Sequence, residues 1–153
     1  MHKSNTAIVG IALSIIISGC SSVTTTGNEK PDLRPCAKNF TTDGSMTGLS
    51  GKRFMTSMSF PNISKKTALN KISQQISFEG QTIKTLDRDS GIIIASQQDL
   101  LLKDARETKI TASVEERKGG TLVNIQVLTG FGMVTSEDAV KDYFCRIINY
   151  IGK

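Results

Sequence analysis

Histidine is all but missing from this chain. The single one is His2, at the extreme N-terminus, so no imidazole occurs from residue 3 onward. Ser-His-Asp and Cys-His catalysis need that ring as base, and many zinc sites need it as ligand. Both classes are excluded for everything beyond residue 2. Tryptophan is absent and aromatics are only 5% of the chain, which argues against a stacking surface for bases or sugars. Beyond Lys3, lysine and arginine are spread from Lys30 to Lys153, and no local run exceeds two residues, as at Lys65-Lys66. Nucleic-acid binding needs them gathered on one face, so no nucleic acid is expected as a partner. The net charge of +5 suits solubility beside an anionic membrane surface. There is no internal repeat and no low-complexity tract, and 38% hydrophobic with 22% charged residues is ordinary for one globular domain.

What is present is organised from the N-terminus. Residues 2–5 are polar and basic, and 7–17 are apolar apart from Gly10 and Ser14. That is the layout of a secretory signal peptide, and the run falls well short of the about 20 apolar residues of a membrane-spanning helix. Directly after it stands Ile17-Ser18-Gly19-Cys20.

This tetrapeptide resembles the lipobox of bacterial lipoproteins: an aliphatic residue, two small residues, then cysteine. The resemblance implies cleavage between Gly19 and Cys20 and attachment of a diacylglyceryl group to the Cys20 thiol, commonly with acylation of the new amino group. Small residues at 18 and 19 let a peptidase approach the backbone, and a cysteine thiolate is the natural nucleophile for a thioether. Two or three acyl chains, at about 0.8 kcal/mol per buried CH2, make the anchoring effectively permanent. Ser21, rather than aspartate, follows the cysteine, which by the same resemblance points to the inner leaflet of the outer membrane, facing the periplasm.

The expected organisation is a signal peptide over 1–19, a flexible tether over 20–50 and a domain over 51–153. The tether reading rests on a polar, unpatterned run at 21–28, on Pro31 and Pro35, and on turn-like residues at 41–45. In the domain, Phe54, Thr56, Met58 and Phe60 alternate as in a half-buried strand. Ser64 caps a helix with Leu69, Ile72 and Ile76 on one face, which Gly80 ends. A hairpin follows, with arms at 81–86 and 91–96, and the run Ile92-Ile93-Ile94 predicts a central strand. The stretch 97–106 is ambiguous. A second hairpin joins Ile110, Ala112 and Val114 to Val123, Ile125 and Val127 through Gly119-Gly120. Thr135 and Asp138 predict a capping box before a helix with Val140, Tyr143, Phe144, Ile147, Ile148 and Ile151 on its apolar stripe. The order β-α-β-β-β-β-α predicts an α+β, two-layer sandwich, with an antiparallel sheet of about five strands and two helices on one face.

The pattern Ser64, Ala68-Leu69, Ile72, Ile76, Gly80, Ile83, Asp87, Gly91-Ile92-Ile93, Ala95 resembles one unit of the C-subunit lipoprotein of the outer-membrane β-barrel assembly machinery. The resemblance spans roughly 35 residues of mostly core positions. It implies a helix-grip-like α+β fold and hints at a task in outer-membrane assembly.

With Cys20 committed to lipid, Cys36 and Cys145 remain as an even pair in an oxidising compartment. A disulfide between them, or a buried free thiol at Cys145, both fit the sequence. The acidic pairs Asp87/Asp89 and Glu115/Glu116 read as solvated turn charges. Asp87-x-Asp89-x-Gly91 lacks the downstream ligands of a calcium loop, so no metal and no cofactor is expected. Gly51-Lys52 mimics the end of a phosphate loop, but Arg53 replaces the magnesium-binding hydroxyl. Gly130, Phe131, Gly132 and Met133, between the last strand and helix, form the candidate contact loop. The expectation is a non-enzymatic, membrane-anchored protein that binds or scaffolds another envelope component, possible assignments being outer-membrane assembly or, in second place, an accessory subunit of a secretion or surface-appendage machine. A ligand-binding protein or carboxylate-based hydrolase comes third, and an apolar pocket between helix and sheet would raise it.

Overall fold

The computed structural model describes residues 32–44, 51–98, 107–130 and 135–153. All lie within the compact unit Pro31–Lys153. The architecture is α+β: one six-stranded antiparallel sheet with two helices across one face.

Strands β1 (Thr41–Asp43), β2 (Arg53–Pro61), β3 (Thr82–Asp87), β4 (Ile92–Gln98), β5 (Glu107–Arg117) and β6 (Gly120–Leu128) stand in the order β1-β2-β6-β5-β4-β3. Period-two alternation decides which face each side chain takes. Phe54, Thr56 and Phe60 of β2 point to the helices, as do Ile110, Ala112 and Val114 of β5 and Val123, Ile125 and Val127 of β6, and all are buried. The other face carries Met55, Ser57, Thr111, Ser113, Asn124 and Gln126, and among the described residues no helix covers it. β2 and β6 pair along their whole length, from Arg53 opposite Leu128 to Pro61 opposite Gly120.

Helix α1 (Lys65–Phe78) starts where the Ser64 hydroxyl accepts the Thr67 N–H at 3.2 Å, satisfying one of the donors a helix start leaves free. It ends at Gly80, whose φ of 84° lets the Gln81 N–H return to the Ile76 carbonyl at 3.2 Å. Helix α2 (Glu137–Ile151) is capped by Ser136, which accepts from the Ala139 N–H at 3.1 Å. The sequence pointed to Thr135, one residue too early. The two helices run in opposite directions: Lys71 reaches the Ile151 carbonyl, Gln74 meets Tyr150, Glu79 meets Arg146 and Gln81 meets Tyr143. Ala68, Leu69, Ile72 and Ile76 of α1 and Phe144, Ile147, Ile148 and Ile151 of α2 close the core.

Gly91 joins β3 to β4 under two constraints at once. Its φ is 81°, and a Cβ there would stand 2.4 Å from the Val114 carbonyl oxygen. Only glycine allows β4 to start this close to β5, where the Val114 N–H donates to the Gly91 carbonyl at 2.8 Å.

Two expectations need correction. The sheet has six strands, because β1 pairs with β2 from within the stretch assigned to the tether. A short 3-10 helix, Pro35–Ala37, precedes it and buries Cys36 and Ala37. The folded unit therefore takes in residues 32–44, not only 51–153. These residues lack any periodic apolar pattern, and what holds them is a handful of single contacts. The Ile92-Ile93-Ile94 strand is interior, as predicted, with β3 and β5 on its two sides. It is not buried on both faces, however: Ile93 is 0% exposed and Ile92 37%.

Candidate functional site

Three features compete as the site: the Cys36 junction, a pocket at one end of α2, and the uncovered sheet face. At the junction, the Sγ atoms of Cys36 and Cys145 are at disulfide distance and the Cα atoms are 5.0 Å apart. The Thr56 hydroxyl donates to the Cys36 carbonyl at 3.0 Å. Phe40 packs its ring 6.1 Å from Phe54 and 6.0 Å from Phe144, the spacing of favourable tilted pairs. Arg34 donates to Asp142 of α2 at 2.6 Å and grips Asp32 through two nitrogens. That hydrogen bonding holds the Asp32 carboxyl down to about 2. Residues 32–40 are thus tied to α2 and β2 by a sulfur pair, an ion pair and an aromatic contact.

The pocket encloses about 260 Å³ between the first turns of α2 and the sheet. Ile110, Val127 and Val140 supply its apolar wall, and Gln81, Gln97, Thr108, Thr129 and Thr135 its polar edge, with Ala139 and Tyr143 from α2. The Tyr143 hydroxyl donates to Gln81 Oε1 at 3.0 Å. Burial pushes the Tyr143 phenol well above its ordinary range, and the charge of Glu79 adds to the push. Glu79 itself is held below the usual carboxylate range by Arg146, which donates to it at 2.7 and 2.8 Å. Thr129 is satisfied by the Lys52 backbone at 3.2 Å. None of the described residues lining this pocket carries a formal charge at neutral pH.

On the open face, a shallow concavity of about 430 Å³ is lined by residues such as Asn39, Thr41, Met55, Ser57, Thr111 and Asn124. Asn124 donates to Ser113 at 3.2 Å and Asn39 to the Ser57 carbonyl at 2.9 Å. These amides and hydroxyls engage one another along the sheet.

The residues singled out from sequence fall unevenly. Cys20, Phe131, Gly132 and Met133 lie outside the described residues. Gly130 is half-buried, and the residues on either side of 130–134, Thr129 and Thr135, both line the pocket. Asp87 accepts the N–H groups of Asp89 and Ser90 at 2.9 and 3.1 Å, and hydrogen bonding from Ser90, side chain first and backbone second, holds its carboxyl below the ordinary range. Glu115 pairs with Arg117 at 2.5 Å. Both acidic pairs are accounted for as turn and surface charges. The Lys52 ammonium is engaged by Glu137 at 2.6 Å, so the Gly51-Lys52 segment serves as a link between β2 and α2. Among the described residues no group of three or more His, Cys, Asp or Glu could hold a metal ion, and no helix is long and apolar enough to cross a membrane. The pocket residues Gln81 and Tyr143 were not foreseen. A hydroxyl-bearing side chain in an otherwise hydrocarbon stripe was the available signal, since a buried phenol needs a partner.

No family model and no curated protein matches the chain. Among solved structures, a conserved protein of unknown function from Enterococcus faecalis is similar over 76% of each chain, at 11% identity and a TM-score of 0.48. CalU16 from Micromonospora echinospora is similar over 67% of this chain and 73% of its own, at 8% identity and a TM-score of 0.39.

Proposed function

We propose that this chain is a lipid-anchored protein of the bacterial cell envelope, held at a membrane by Cys20, and that it works by binding another envelope component. The Cys36 and Cys145 pair carries the proposal. Two cysteines at bonding distance form a lasting bridge only in an oxidising compartment, which is where a chain bearing the Ile17-Ser18-Gly19-Cys20 lipobox is delivered. The junction also suits a tether. It fixes residues 32–40 to the last helix, so the domain is braced at its end nearest Cys20 in sequence. A pocket with an apolar wall and a polar edge is the kind of surface that binds, and its lining includes Thr129 and Thr135, which bracket the candidate contact loop in sequence.

The test is metabolic labelling with an alkyne fatty acid, followed by membrane fractionation and cross-linking in intact cells. Wild-type protein is expected to carry label, to sediment with membranes and to cross-link to a stoichiometric envelope partner. Cys20→Ser should lose label and sediment no longer. An unlabelled wild-type protein in the soluble cytoplasmic fraction would rule the proposal out.

A further inference from the structure

We infer that the pocket between α2 and the sheet binds a small, uncharged, mostly apolar molecule bearing one hydrogen-bond acceptor, such as an amide or ester carbonyl. This deepens the binding proposal above and rests on it only in taking binding as the protein's task.

The lining decides the charge. Ile110, Val127 and Val140 present hydrocarbon, and none of the described lining residues is ionised at neutral pH. A carboxylate or ammonium entering here would give up water and meet no counter-charge among the described lining residues, at a cost of several kcal/mol. Tyr143 does not change this, because burial keeps its phenol protonated well beyond neutral pH.

The polar groups decide the functional group. Thr129 spends its hydroxyl on the Lys52 carbonyl. The Tyr143 hydroxyl spends its proton on Gln81 Oε1. That hydrogen bond orients the Gln81 carboxamide, with its oxygen toward Tyr143 and its NH2 group left as donor. Gln97, Thr108 and Thr135 add amide and hydroxyl groups at the edge, and the oriented Gln81 donor beside the apolar wall selects an acceptor on the ligand.

Size sets the rest. About 260 Å³ is below the roughly 300–1,000 Å³ of pockets that enclose drug-sized ligands, so the ligand is short.

The experiment uses the chain from residue 20 with Cys20→Ser, which needs no detergent. Every described residue lies beyond that point, in the compact unit Pro31–Lys153. The probe is N-phenyl-1-naphthylamine, an uncharged apolar dye, and the competitors at pH 8 are octanamide and the octanoate anion. Saturable one-to-one dye binding is expected, displaced by octanamide at least tenfold more readily than by octanoate. Ala139→Trp, at an exposed helix position on the pocket, should abolish dye binding with an unchanged circular dichroism spectrum. Gln81→Leu should keep the dye and narrow the octanamide preference. Ser113→Trp, on the open face, should change nothing. No saturable binding, equal displacement by octanoate, or an Ala139→Trp protein that binds normally would each overturn the inference. None of these outcomes bears on lipid labelling or fractionation, so the anchoring proposal stands or falls separately.

Discussion

Cys36 and Cys145 are 109 positions apart in sequence, and their Cα atoms are 5.0 Å apart across the junction of the 3-10 helix and α2. A bond between them closes nearly the whole folded unit into one loop. In the chain-entropy account, closing a loop of about 110 residues stabilises the native state by about 4 to 5 kcal/mol. Cys36→Ser/Cys145→Ser should therefore unfold at markedly lower urea than wild type, with a loss of that order. Non-reducing mass spectrometry of the envelope-derived protein should show the peptides containing Cys36 and Cys145 joined. Two free thiols titrating in the unreduced, unfolded protein would contradict the bond.

Phe144 is 0% exposed and Leu33 is 85% exposed. Phe144→Ala should cost about 3 to 5 kcal/mol in chemical denaturation, from lost burial and the cavity left behind. Leu33→Ala should stay within about 0.5 kcal/mol of wild type. Comparable losses at the two positions would contradict the packing described.

Gly91 and Gly119 separate two causes of glycine requirement. Both have positive φ, 81° and 85°. A Cβ at 91 would collide with the Val114 carbonyl oxygen at 2.4 Å, while at 119 nothing lies within 4 Å. Gly119→Ala should cost about 1 to 2 kcal/mol, the left-handed penalty alone. Gly91→Ala should cost more, because β4 must also move from β5. Thermal unfolding of the two variants side by side makes the comparison.

Stability should fall at both ends of the pH scale for reasons that can be assigned. Glu79 is held below its ordinary 4.5 by Arg146, so its contribution is present above that value and lost as pH falls through the lowered folded value. Tyr143 is pushed above its ordinary 10.0 by burial. Its contribution is present below pH 10 and lost as pH rises toward the raised folded value. Tyr143→Phe should flatten the alkaline arm of a melting-temperature profile, and Arg146→Met the acid arm. An unchanged alkaline arm in Tyr143→Phe would contradict the burial of this phenol.

The fold was legible wherever periodicity was strong. The alternation at Phe54, Thr56 and Phe60, the pattern Leu69, Ile72, Ile76, and the paired arms around Gly119-Gly120 all report burial against a single partner surface. Residues 32–44 were illegible for the same physical reason. Cys36, Ala37 and Phe40 have no spacing that marks an element, and they are ordered by partners more than 100 positions away, such as Asp142 and Cys145. The pocket was illegible because its members come from the turn before β3, from β4, β5, β6 and α2, and no local pattern brings Gln81 to Tyr143. The Ser136 cap was missed because Thr135 and Ser136 are chemically equivalent candidates, and helix entry alone chooses between them.

The most direct measurement is mass spectrometry of the N-terminal peptide of the protein recovered from the membrane fraction of its own cells. A peptide beginning at Cys20 and heavier by a diacylglyceryl group, with or without a further acyl chain, is the expected result. An intact, unmodified residue 1–20 segment, or a mature start at any other residue, would contradict the lipid anchor on which the proposed function depends.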